Sequence, residues 1–66
     1  MYLFGQTLTQ DIHFLHHMEH EIPVQVYLGA QHADIGYVCG ISRHFVRIGP
    51  VYYNRGIYRF VSRPGY

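Results

Sequence analysis

The chain has no tryptophan, no lysine, one cysteine and only four carboxylate side chains in 66 residues. The lone Cys39 excludes an internal disulfide and a zinc cage built on several thiolates. Charged residues make up 14% and apolar residues 48%, too little charge and too much apolar surface for a disordered chain. No apolar run approaches the ~18 residues of a spanning helix. Met1-Tyr2-Leu3-Phe4-Gly5 has neither the basic start nor the long apolar stretch of a signal peptide. The expectation is a cytoplasmic protein with no membrane partner. The length sets one domain, 1–66, whose core is only marginally sufficient, and self-assembly is the expected further source of stability. Nothing in the composition asks for a cofactor.

The net charge of +1 hides an asymmetry. Residues 1–33 carry Asp11, Glu19 and Glu21 and no base, for −3. Residues 34–66 carry Arg43, Arg47, Arg55, Arg59 and Arg63 against Asp34, for +4. Arginine without lysine suits fixed, planar contacts to phosphate or carboxylate, or stems lying along the surface of a small barrel.

Up to Pro23 the apolar period is helical. Leu8, Ile12, Leu15, Met18 and Ile22 fall on one side of a wheel at about 100° per residue. Thr7 through Gln10 matches a capping box with Thr7 as N-cap, and Asp11 favours the first turn. Pro23 forces Ile22 to be extended. The reading is a helix at 8–20 that buries this stripe. His13, His16, His17 and His20 gather on the opposite face, where solvent is expected. No metal is assigned. The pairs His13–His17 and His16–His20 are the candidates for a divalent zinc, nickel or copper ion, short of the third or fourth ligand a zinc site wants. The plain alternative is a polar face that becomes cationic below about pH 6.5.

After Pro23 the pattern is β. Strands are expected at 24–28, 33–41, 44–48, 51–53 and 57–62, with turns at 29–32, Gly49-Pro50 and 54–56. Gly36 and Gly40 inside the second strand mark a bend or bulge, as closure of a small barrel requires. Phe45 and Val46 are neighbours in a strand and cannot share a face; Phe45 is assigned to the core. Cys39, between Val38 and Gly40, reads as a small inert core residue. No Ser-His-Asp order, glycine-rich phosphate loop or paired-carboxylate cleft stands out, so the chain is not read as an enzyme.

A helix followed by five short, bent strands is the order of the Sm-like barrel. Gly5-Gln6-Thr7-Leu8 resembles the opening of bacterial Hfq. Ile22 through Leu28 is similar to the Hfq helix exit and first strand. Gly36 falls where the second Sm strand bends, and Tyr53-Asn54-Arg55-Gly56-Ile57 resembles the segment joining the last two strands. These anchors cover residues 5–62. The departures are one extra residue in the helix segment, a Gly49-Pro50 loop about four residues shorter than the family's, Ser42 in place of the first-motif aspartate, Asn54-Arg55 in place of the pore Lys-His pair, and Ala33 at the cationic position of the opposite face. The resemblance implies an α+β, mostly β fold, an N-terminal helix followed by a five-stranded, strongly bent Sm-like (SH3-like) barrel.

For function, the resemblance implies a homo-oligomeric ring that binds single-stranded RNA. Gln6 matches the glutamine that reads bases, His44 the stacking position at the start of the third strand, and Asn54 and Arg55 the pore. Tyr27 matches the aromatic that stacks purines on the other face. Flat side chains and cations are what single-stranded RNA needs. The ring is expected to close through open edges of the last two strands, with Tyr52, Tyr53, Ile57, Tyr58 and Phe60 exposed there. The alternative is a structural or protein-interaction module, a small assembly protein that keeps the barrel without binding RNA. The seven tyrosines, the altered pore pair and the low net charge favour it.

Overall fold

A computed structural model describes residues 2–66. The chain is mostly β with one short helix. Its elements are β1 (Thr7–Leu8), α1 (Asp11–Glu19), β2 (Val24–Leu28), β3 (Gln31–Gly36), β4 (Val38–Ile41), β5 (Phe45–Ile48), β6 (Val51–Asn54) and β7 (Arg59–Ser62). They form two antiparallel sheets, ordered β1-β7-β2-β3 and β4-β5-β6, with no closed barrel among the described residues. The helix is too short and polar to cross a membrane.

β2 spans the residues expected of it, because Val24 and Val26 alternate inward and both are fully buried. The expected 33–41 strand is two. The chain leaves one sheet after Gly36 and enters the other at Val38, and β3 already begins at Gln31. Gly36 sits at this crossing because a Cβ there would lie 2.8 Å from Ile48 Cγ2. Gly49, at φ +57°, supplies the left-handed residue of the two-residue β5–β6 turn and so sets the register Ile48↔Val51 and Arg47↔Tyr52. Ile57 and Tyr58 lie outside the last strand, since their N–H groups donate to Asn54 O and form a turn.

The helix differs most from its reading. It starts at Asp11, and Thr7 and Leu8 instead pair with Val61 and Phe60 of β7. Gln10 is the N-cap. Nδ1 of His13 accepts from the backbone N–H of Thr9 and Gln10, which places an imidazole where a capping carboxamide was expected. At the other end Ile22 N–H donates to His17 O, a Schellman closure that holds Glu21 at φ +51° ahead of Pro23. The buried face is Phe14 and His17; Ile12 and Leu15 of the expected stripe are exposed. Phe14 meets Phe60 edge to face with centroids 5.3 Å apart. The core comprises Leu8, Phe14, Val24, Val26, Val38, Val46, Ile48, Tyr53 and Phe60. Val46 and Ile48 are the inward residues of β5, so Phe45 points out and is exposed, as is Cys39 on the bulged stretch of β4.

Candidate nucleic-acid interface

Of the residues matched to RNA contacts, His44, Asn54 and Arg55 lie together, Gln6 is held elsewhere, and Tyr27, matched to the other face, lies on the four-stranded sheet. Gln6 is tied into the chain start. Its Oε1 accepts from Leu3 N–H (3.1 Å) and its backbone O from Ser62 N–H (2.8 Å). His44, Asn54 and Arg55 do meet, at the end of the β5–β6 ladder. Arg55 N–H donates to His44 O at 2.8 Å, and Asn54 lies opposite Phe45. Asn54 serves the turn, its Oδ1 accepting from Gly56 N–H at 2.8 Å. The His44 side chain is exposed.

Arg55 is not an open cation. Its Nη1 donates to Asp11 Oδ1 at 2.6 Å and to Ser42 O at 2.8 Å, and its Cζ lies 5.0 Å from the Phe14 centroid. Its side chain is 16% exposed. The guanidinium clamps the first turn of α1 to the β4–β5 turn. Asp11, 44 residues away, is the partner that local reading does not reveal.

Tyr27 lies on the outer face of the four-stranded sheet and has cations that Ala33 does not supply. Arg59, its register partner on β7, places Cζ 4.9 Å from the ring centroid. Arg63 donates through Nη2 to the Tyr27 hydroxyl (3.0 Å) and through Nε to Gln25 Oε1 (2.6 Å). His32 meets the ring edge with centroids 6.0 Å apart.

The helix histidines have separate fates. His17 is fully buried. Its Nδ1 lies 2.6 Å from His13 O and its Nε2 2.7 Å from Ser62 Oγ. A carbonyl only accepts, so Nδ1 carries the proton, and neutral Nε2 accepts from the serine hydroxyl. Burial, and then the nearby His13 and His16 imidazoles, hold His17 below the usual histidine range, against the pull of the His13 carbonyl. The Tyr2 ring packs on His17 with centroids 4.3 Å apart, and its hydroxyl shares a 2.8 Å hydrogen bond with His16 Nδ1. The helix therefore does not present two solvent-facing imidazole pairs: His17 belongs to the core and His16 to Tyr2. No group of three or more His, Cys, Asp or Glu is placed to hold a metal among the described residues.

Tyr53 is also committed inward. Its hydroxyl donates to Asp34 Oδ2 at 2.6 Å. Burial, followed by this carboxylate, pushes it up to about 12. Phe60 is buried as well, so only Tyr52 and Ile57 of the five residues expected at the open edges are strongly exposed. β6 has no second neighbour among the described residues, whereas β1 covers β7 at Phe60 and Val61.

The resemblance gives Arg47 no role and places Tyr52 only at a subunit edge. They are register partners on β5 and β6, with Arg47 Cζ over the Tyr52 ring, 5.7 Å from its centroid. With Gly40, Ile41, Ser42, Phe45 and Cys39 they line a groove of about 240 Å³. The signal was present in the alternation Phe45-Val46-Arg47-Ile48 and in a two-residue turn that fixes the facing residue. Comparisons with protein-family models, with curated proteins and with solved structures return no match for this chain.

Proposed function

We propose that this chain is a divergent Sm-like, Hfq-like small-barrel protein that binds single-stranded RNA as a homo-oligomeric ring. The observation that carries the reading is how the arginines are left. Among the described residues the only carboxylate–arginine pair is Asp11–Arg55. Arg43, Arg47, Arg59 and Arg63 have no carboxylate partner there, and three of them rest on rings: Arg47 on Tyr52, Arg59 on Tyr27 and Arg63 on Phe4. Uncompensated guanidiniums held against aromatic planes offer phosphate attraction and stacking together, the two demands of single-stranded RNA. The strand order and the crossing after Gly36 support the Sm-like reading of the fold. The unpaired edge of β6 supports the ring, which would meet the neighbour's 57–59 stretch, since β1 already holds the rest of β7.

One observation favours the other reading, a structural or protein-interaction module. The pore-position cation Arg55 is spent on Asp11, while Leu3, Phe4 and Ile57 expose apolar surface. The deciding experiment is native mass together with the ratio of absorbance at 260 to 280 nm for protein purified at low salt. A closed oligomer that carries nucleic acid and rebinds labelled oligouridine fits the RNA ring. A nucleic-acid-free protein with no affinity for oligouridine or oligoadenine at low salt leaves the module as the account.

A further inference from the structure

Consider the outer face of β4–β5–β6. Cα pairings Gly40↔Arg47 and Arg47↔Tyr52 set these three residues in one row across the sheet, and Phe45 opposite Asn54 forms the next. Tyr52 is 63% exposed and Phe45 41%. Above Gly40 the space is open, with no atom within 4 Å of where a Cβ would stand. Arg47 donates through Nε to Gly49 O at 2.8 Å, and its Cζ lies over the Tyr52 ring, 5.7 Å from the centroid. Neither of its Nη groups has an acceptor among the described residues. Arg43 and His44 are exposed on the turn that leads into Phe45.

No Asp or Glu follows Asp34 in the sequence, and Asp34 is engaged by the Tyr53 hydroxyl and the Ile35 N–H. The sheet therefore presents cations and rings with no carboxylate of its own. A two-fold contact through this face would bring the arginines of both copies together with no carboxylate from either face to neutralise them, so the face does not suit an isologous dimer. A chain carrying one phosphate per flat base fits both features.

We propose that this face is a stacking track for single-stranded RNA, lying apart from the positions matched to the family's RNA contacts. One base stacks on Phe45 and another against the Tyr52–Arg47 pair, over the open backbone at Gly40. The Arg47 Nη groups and Arg43 take the phosphates. This rests on the RNA reading above and assigns that reading a surface.

The test is fluorescence anisotropy of labelled oligouridine and oligoadenine over a salt series, with sedimentation on the same samples. Tyr52→Ala is expected to weaken binding about tenfold with the salt slope kept, and Tyr52→Phe to bind like wild type. Arg47→Ala is expected to weaken binding and to reduce the slope by about 0.7 for the lost phosphate contact. Ultraviolet crosslinks on Phe45 or Tyr52 would add direct support. If wild type binds but Tyr52→Ala and Arg47→Ala bind equally well, the track is wrong while the RNA reading stands. Should those variants keep their affinity but change the sedimenting mass, the face is a contact between copies and the track is again wrong. If wild type binds neither oligonucleotide, the RNA reading fails first and the track with it.

Discussion

Two polar and aromatic regions of the molecule behave in opposite ways. At the corner between α1 and β7, His17, Ser62, Tyr2 and His16 answer one another, and no buried side-chain nitrogen or oxygen lacks a partner among the described residues. On the outer face of β4–β5–β6, Arg47 and Tyr52 touch each other and leave their remaining capacity open. Arg55 belongs with the first region, because Asp11 neutralises it. An imidazole or guanidinium becomes structural when the fold brings it an internal partner, and remains available for a ligand when it does not. The energetic asymmetry is large, since an unpaired polar group in the core costs far more than one in water.

The comparison is broken most strongly by removing His17. His17→Ala leaves the Ser62 hydroxyl unanswered beside a void and is expected to cost about 2–4 kcal/mol. That is a large part of the roughly 3–10 kcal/mol expected for a domain of this length. Urea unfolding followed by circular dichroism measures it. The double variant His17→Leu/Ser62→Ala, which removes both polar partners, should recover most of the loss; no recovery would mean that the pair is not what holds the corner. Gly36→Ala strikes the crossing between the two sheets, where its Cβ meets Ile48, and about 1–3 kcal/mol of destabilisation is expected. A variant as stable as wild type would show that the crossing tolerates a side chain.

A pH titration separates the regions without mutation. The folded pKa of His17 lies below its ordinary value of 6.5, so the unfolded chain binds more protons. Its contribution to stability is complete above about pH 6.5 and is lost as pH falls toward the folded pKa. The slope approaches about 1.4 kcal/mol per pH unit within that window. Urea midpoints at several pH values should follow this curve, and the His17→Leu/Ser62→Ala variant should lose this component. A double variant as acid-sensitive as wild type would show that His17 is not the source of the dependence. The smallest effect is expected at the arginines. Arg55→Ala should lower stability by about 1 kcal/mol or less, since its partner Asp11 is largely exposed, and, on the proposal that the protein binds RNA, should leave the salt slope of that binding unchanged. Arg47→Ala should do the reverse, with stability kept and the slope reduced. If Arg55→Ala flattens the salt slope, the ion pair opens to RNA and the division between the two arginines fails.

Local pattern alone determined much of this protein. Val24 through Leu28 forms a strand because alternating valines bury one face. Pro23 ends the helical segment because the residue before a proline is driven out of the α region. The Gly49-Pro50 turn and the alternation along β5 set Arg47 beside Tyr52. The mostly β character, the single helix and the bend near Gly36 were all legible in this way. Which helix face turns inward was not. The apolar stripe pointed to Ile12 and Leu15, yet the core took Phe14 and His17 because Ser62, 45 residues along the chain, reaches the imidazole and removes the penalty for burying it. The helix start moved because β7 offered Thr7 and Leu8 a ladder that no local signal announces. The resemblance matched Arg55 to the pore, and only the fold shows Asp11 paired with it. Periodicity and turn chemistry act over a few residues and can be read from the chain. Pairing of polar groups depends on which distant segments the tertiary structure brings within about 3 Å, and only the folded molecule decides that.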